Sequence, residues 1–260
     1  MRQTRSRRRW LVWIGAVLVA SIVGWIGMLA FPQLLCRHQV RVGSIRLYYD
    51  EMPEAAARTL AQAVDHRLRA SGFADSTGTA RVFLFQRPAR YRWITRLSRV
   101  PRDAQGFNLS VLGNTFVSGP RIAALGERSG RGPRYSVWEG DPAHTIAHEV
   151  GHQVVVDRIG RRALPQWKRE GLAEYVANIG LIRSDDTADL VSRLKVFDDD
   201  RAWSSTHGSA GRGWDRIHYE AGLLVEFLID VRGLTFAEVA ADGVTRESTR
   251  AALRAWAQPR

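Results

Sequence analysis

Cysteine is nearly missing from these 260 residues, with Cys36 standing alone. An internal disulfide is therefore excluded, and the fold must be held by packing. Lysine is almost as scarce: Lys168 and Lys195 are its only occurrences, against 36 arginines. A skew that one-sided reads as codon bias, not as a demand for guanidinium chemistry. Acids are absent up to Phe31, a stretch that holds five arginines. Setting those five aside takes the formal net charge from +12 to +7. No nucleic-acid recognition motif accompanies the charge, so nucleic acid is not expected as a partner. Anionic lipid or cell-wall polymer is the natural counterpart of a basic ectodomain. Leu34-Leu35-Cys36 lacks the small residue that precedes a lipoprotein cysteine, so Cys36 reads as an ordinary juxtamembrane thiol.

Long apolar runs are limited to one. Trp10 to Phe31 holds 22 residues without a charge, and Ser21 is its one polar side chain. The run is long enough to cross a bilayer and longer than the apolar core of a usual cleavable signal. Met28-Leu29-Ala30 offers a small residue only at its end, which favours an uncleaved anchor over a signal peptide. Ser6-Arg7-Arg8-Arg9-Trp10-Leu11 also resembles a twin-arginine export signal, although such signals carry weaker apolar runs. Five arginines precede the run, and Arg37, Arg41 and Arg46 follow it. That balance puts the N-terminus in the cytoplasm and the rest of the chain outside. The expected organisation is a basic tail (1–9), an anchor (10–31), a linker (32–38) and one domain (39–260), whose core the 45% hydrophobic content can supply.

Alternation predicts a strand over 39–49, and Pro53 opens a helix to about Ala70 with Ala57, Leu60, Ala61, Val64 and Leu68 at helical spacing. Arg81 to Phe85 is a second short strand. Residues 86–106 interleave arginines with Tyr91 and Trp93. They are expected to form an amphipathic helix with a solvated basic face, though the pattern also suits a polyanion. Phe107–Val117 and Arg121–Leu125 are further strand candidates, separated by a turn at Ser118-Gly119-Pro120, and 126–133 reads as a loop. From Ile182 to Gly213 the chain is polar. A helix is expected from Thr187 to Phe197, and the acids Asp185-Asp186 and Asp198-Asp199-Asp200 match no calcium-loop pattern. Trp214 to Gly233 reads as one helix closed by glycine, followed by helices at 235–241 and 247–257.

The chemistry concentrates in His148-Glu149-Val150-Gly151-His152. Asp141-Pro142 is a helix-start pair, and no further proline occurs up to Ile159. On that helix His148 and His152 lie one turn apart on one face, able to bind one metal ion. Glu149 stands beside them to work on a metal-activated water, the H-E-x-x-H zinc pattern. A catalytic zinc takes three protein ligands. Glu170 lies 18 positions after His152 on a second helix, across a turn at Gly160, and can supply the third. Glu174, one turn on, can accept the free ring N–H of a ligating histidine. His144 shares the face of His148. It is expected near the site, with a ligand role in place of Glu170 as the alternative.

H-E-x-x-H followed after about 18 residues by E-G-x-A-E resembles the gluzincin (clan MA) metallopeptidases, the clan of thermolysin and the M1 aminopeptidases. L-P-x-W-x-x-E-G-L-A-E-Y, at 164–175, is most similar to bacterial peptidase-MA-like domains. The resemblance covers roughly 135–235. It implies an α+β, zincin-like catalytic domain with a small N-terminal sheet lobe and a helical C-terminal lobe, here preceded by one transmembrane helix. It implies Zn2+ held by His148, His152 and Glu170, Glu149 as general base, and an edge strand that pairs with extended substrate. Near the start of the 214–233 helix, Tyr219 matches the tyrosine that stabilises the transition state in the aminopeptidases. His218 competes for that role, as thermolysin-like enzymes use a histidine there. The G-x-M-E-N stretch that holds a substrate's free amine in the aminopeptidases is absent.

The function expected is therefore a membrane-anchored zinc peptidase acting on peptide or protein substrates, endopeptidase before aminopeptidase. One alternative is a non-catalytic anchored binding module with a structural zinc site, which has little reason to keep Glu149. Another is a basic surface protein binding anionic envelope polymer through 87–102.

Overall fold

Gly43 turns the chain back on itself at a positive φ of 50°, and this one residue changes the expected start of the domain. A single strand is expected across 39–49, but the computed structural model, which describes residues 2–71, 79–101, 104–121, 141–160, 163–182, 187–201 and 214–258, places two strands there. β1 (His38–Val42) and β2 (Ile45–Tyr49) pair antiparallel with Val42 opposite Ile45, so Gly43-Ser44 is a two-residue hairpin loop. Phe107–Val117 splits in the same way into β4 (Gly106–Leu109) and β5 (Asn114–Ser118), paired antiparallel, with Gly113 at φ 63° in the turn. Residues 119–121 are helical after β5, and 122–133 lie outside the described residues, as do Asp185 and Asp186.

Between the hairpins stands β3 (Ala80–Phe85), parallel to both β2 and β5, giving the sheet order β1-β2-β3-β5-β4. Helix α2 (Glu54–Ala70) makes the β2-α2-β3 crossover. Both faces of the sheet are covered, and β3 shows it residue by residue. Val82 and Leu84 pack with Leu47, Val117 and the apolar stripe of α2, whereas Phe83 and Phe85 face a second cluster with Tyr91 and Ile94 of α3 (Pro88–Ser98). Burial on both faces explains an apolar run where a half-exposed strand would alternate. Tyr48, Phe83, Phe116 and Phe107 are consecutive cross-strand partners, with ring centroids 4.8, 5.4 and 5.0 Å apart. This row of stacked rings pins the register from β2 to β4.

The helical half follows. α4 (Pro142–Ile159) lies on the sheet through Ile146, Val150 and Val154. α5 (Gln166–Ile182), α6 (Thr187–Asp198) and α7 (Trp214–Glu226) build a further apolar cluster, in which Leu172, Leu190, Leu194 and Leu224 are buried. The helix expected over 214–233 does not stay α-helical: Phe227–Val231 forms a π-turn before Gly233 closes the segment at φ 69°. α8 (Phe236–Ala240) opens on a reciprocal capping box between Thr235 and Glu238, and α9 (Arg246–Ala257) ends the described chain. Mixed sheet and helices make an α+β fold.

Helix α1 (Arg2–Ala30) contains, over Val12–Ala30, the one segment among the described residues long and apolar enough to cross a membrane. The linker residues 32–38 carry local structure. Pro32–Leu35 is a 3-10 turn whose Leu35 carbonyl accepts from Arg90 Nη1 at 2.8 Å, and β1 begins at His38.

Candidate metal and catalytic site

Asp141 starts the site twice over. Its Oδ1 caps α4 by accepting from Ala143 N at 2.8 Å, and its Oδ2 pairs with Arg67 Nη2 at 2.6 Å. Arg67 is a buried residue of α2, and its Nη1 donates to the Ala177 carbonyl on α5 at 3.1 Å. One guanidinium thus ties the start of α4 to the body of α5, and nothing local in the sequence marks that role. Small residues then let the helices approach. A Cβ on Gly151 would stand 3.0 Å from Ala173 Cα, and one on Gly171 would stand 2.4 Å from the Ala221 carbonyl oxygen of α7.

This close packing brings three donor atoms together. Glu170 Oε2 lies 3.6 Å from His148 Nε2 and 3.3 Å from His152 Nε2, and the three atoms fall within 4.8 Å of one another. Two vertices of a tetrahedral zinc site with ligand bonds of ~2.05 Å are about 3.3 Å apart. Two imidazoles and a carboxylate at this spacing fit a zinc ion. The other Glu170 oxygen is occupied, since Oε1 accepts from Arg169 Nε and Nη2 at 3.1 and 3.0 Å. Arg169 so turns Oε2 toward the histidines.

Glu174 stands behind them. Its Oε1 is 3.0 Å from His148 Nδ1, an ion-pair contact, and its Oε2 is 3.1 Å from His144 Nε2. Asn178, one turn further along α5, donates to the same Oε2 at 3.2 Å. The spacing of Asn178 from Glu174 is legible in the sequence, but its polar partner is not. His144 therefore touches Glu174 and is not part of the His148–His152–Glu170 group.

Burial works against charge here, and the mutual attraction of the groups outweighs it. Burial opposes protonation of His148, yet the neighbouring Glu174 and Glu170 carboxylates hold its pKa well above the ordinary imidazole range. Burial likewise opposes ionisation of Glu170 and Glu174. The histidines facing them (His148 and His152 for Glu170, His148 and His144 for Glu174) nevertheless hold both far below the usual carboxylate range. A cluster of this kind favours a bound cation, which would take over the role of the protons.

Glu149, half-buried on α4 beside His148, stands against the edge strand. A Cβ on Gly106 of β4 would lie 2.9 Å from Glu149 Cγ and 3.3 Å from its Oε1. The absence of a side chain at Gly106 therefore gives Glu149 its room, a dependence the sequence does not reveal.

Neighbours on α7, His218 and Tyr219 go opposite ways. The His218 ring stacks on His148 with centroids 5.5 Å apart and planes at 22°. Its Nε2 is 3.9 Å from Glu170 Oε2, and its Nδ1 is 3.6 Å from Glu174 Oε1. Tyr219 is buried in the helical cluster, stacked against Phe197 at 6.3 Å, with its hydroxyl donating to the Arg193 carbonyl at 3.4 Å. Tyr219 is thus a core residue, and His218 is the one beside the metal-binding group. The sequence cannot choose between adjacent helical positions 100° apart without the helix's orientation.

No model of a known protein family matches this chain, and no curated protein matches it.

Proposed function

We propose that the protein is a zinc-dependent peptidase of the gluzincin type, its zincin-like domain held to a membrane by α1. The observation that carries this reading is the convergence of His148 Nε2, His152 Nε2 and Glu170 Oε2 with Glu149 at the edge strand. Zinc held by those three residues would supply a Lewis acid that polarises a scissile carbonyl and acidifies water.

The chain's own residues do the rest. Glu149 takes the proton of the attacking water and returns it to the leaving amine. Glu174, with Oε1 3.0 Å from His148 Nδ1, holds that ring by an ion-pair contact and favours its orientation toward the metal group. His218 donates to the oxygen on which negative charge develops, the role Tyr219 is too deeply packed to reach. Among the described residues β4 is an outer strand of the sheet, with β5 on one side only. An extended peptide pairing along its free edge would pass Gly106 and so Glu149. Without the G-x-M-E-N stretch that holds a free amine in the aminopeptidases, cleavage within a chain is the favoured mode. The basic N-terminal flank keeps the tail cytoplasmic and the catalytic domain extracytoplasmic.

Metal content and hydrolysis of a broad peptide library by the full chain, beside Glu149→Gln, test the reading. About one zinc per chain in both proteins is expected, with turnover lowered at least ~100-fold in the variant. Zinc without cleavage in the unaltered chain would point to an anchored binding module, and no zinc in either protein would sink the ligand assignment.

A further inference from the structure

The outer end of α1 is not free of the domain. Trp25 Nε1 donates to the Leu97 carbonyl near the C-terminal end of α3 at 2.9 Å. Asn114 Nδ2, at the start of β5, donates to the carbonyls of Leu29 and Ala30 at 2.7 and 3.4 Å. Arg90 of α3 donates to the Leu35 carbonyl just beyond the anchor. Two separate segments, α3 and the β4–β5 hairpin, therefore hold the last turns of α1, and α3 also holds the 3-10 turn that follows them.

Exposed apolar side chains collect on the same segments. Among the described residues after Ala30, the large hydrophobic side chains left exposed are Phe31 (64%), Leu34 (87%), Trp93 (40%) and Val111 (71%). Phe31 and Leu34 flank and occupy the 3-10 turn, Trp93 lies on α3, and Val111 lies in the hairpin loop that ends at Asn114. Scattered single exposures are ordinary, but exposures confined to the surroundings of an anchor's end are not scattered. Tyr91, Ile94 and Thr95 are the buried side of α3, and Arg92, Trp93 and Arg96 share its exposed side. A helix with basic side chains beside a tryptophan, in contact with the end of a long apolar helix, has the composition of an interfacial helix.

We propose that this face rests in the headgroup layer of the bilayer that α1 crosses, with Trp93, Val111, Phe31 and Leu34 in the interface and Arg92 and Arg96 against anionic lipid. The inference depends on α1 being a membrane anchor, as proposed above. The domain is then not a tethered body free to swing but one seated on the membrane, with a fixed face toward it.

The test uses the full chain in lipid nanodiscs, in a Cys36→Ser background with a single reporter cysteine. Ala89→Cys reports the exposed side of α3, Val111→Cys the hairpin, and Glu247→Cys on α9 serves as a remote control. Each carries an environment-sensitive fluorophore, read against lipids bearing a nitroxide quencher near the headgroup. Strong quenching at 89 and 111 and little at 247 is the expected result in phosphatidylcholine containing phosphatidylglycerol. Arg92→Glu with Arg96→Glu should weaken docking about fivefold per arginine, as should high salt or pure phosphatidylcholine to a smaller degree. A chain that co-migrates with nanodiscs yet shows equal quenching at all three sites overturns the seated face while leaving the anchor intact. A chain that fails to enter bilayers removes the anchor and the proposal together. Quenching indifferent to lipid charge and to the arginine substitutions overturns the assignment to anionic lipid.

Discussion

Glu174 Oε1 lies 3.0 Å from His148 Nδ1, on the opposite side of the ring from the nitrogen that faces Glu170. The carboxylate also receives His144 and Asn178, so it is held in place from three directions. Loss of such an orienting group lowers metal affinity roughly 10- to 100-fold. Glu174→Gln is therefore expected to weaken zinc binding by that amount while Glu170 and both ligating histidines remain. Competition with a chelator of known affinity reads the shift, and unchanged affinity would remove Glu174 from any role behind His148.

The opposite placement of His218 and Tyr219 separates two variants that sequence alone leaves equivalent. His218→Phe should lower turnover about 100-fold or more with zinc content unchanged, as expected for loss of a donor to a developing oxyanion. Tyr219→Phe should leave turnover nearly untouched and cost about 1 kcal/mol of stability through the lost hydroxyl contact to Arg193. Steady-state kinetics beside thermal unfolding distinguish them. The reverse pattern would show that α7 is rotated from the orientation described here.

Local signals carried the site-bearing helices well. Asp141-Pro142 begins α4 and Gly160 ends it, and the four-residue spacings of His148 with His152 and of Glu170 with Glu174 place each pair on one face. Hairpins were less legible, because the Gly43-Ser44 turn leaves only a one-residue slip in the apolar phase, from Val40 and Val42 to Ile45 and Leu47. Leu112-Gly113 hides the β4–β5 turn in the same way. Residues whose role depends on tertiary placement left no local trace. Arg67 binds a cap 74 positions away, and Gly106 makes room for a side chain 43 positions later. The aromatic row from Tyr48 to Phe107 likewise exists only once strand order is known.

Gly171 offers a test of the packing that brings Glu170 to the histidines. An added methyl would sit 2.4 Å from the Ala221 carbonyl oxygen and 2.6 Å from Val225 Cγ2, so α5 and α7 would have to separate. Gly171→Ala gains helix propensity but is expected to destabilise the chain by about 1–3 kcal/mol net through overpacking. Zinc affinity should fall with it, since Glu170 is the adjacent residue. Denaturant unfolding and metal titration on the same preparation check both, and a stabilised variant would refute the close α5–α7 approach.

Cys36 allows a prediction about pH that does not involve the metal site. Burial, with a smaller contribution from Asp50, pushes its thiol up to about 12. The sign follows directly: a raised pKa keeps the neutral thiol dominant through the physiological range, and only the thiolate reacts with alkylating agents. At pH 8 a thiol of ordinary pKa ~8.5 is roughly a quarter ionised, whereas this one is ionised to about one part in ten thousand. Iodoacetamide labelling of the folded chain should therefore run ~1,000-fold or more below the rate in denaturant, and should climb about tenfold per pH unit up to the pKa. Mass spectrometry of timed reactions measures it. Labelling at the rate of a free thiol would mean that the segment after α1 does not pack on the domain, and that would also unseat α3 from the end of the anchor.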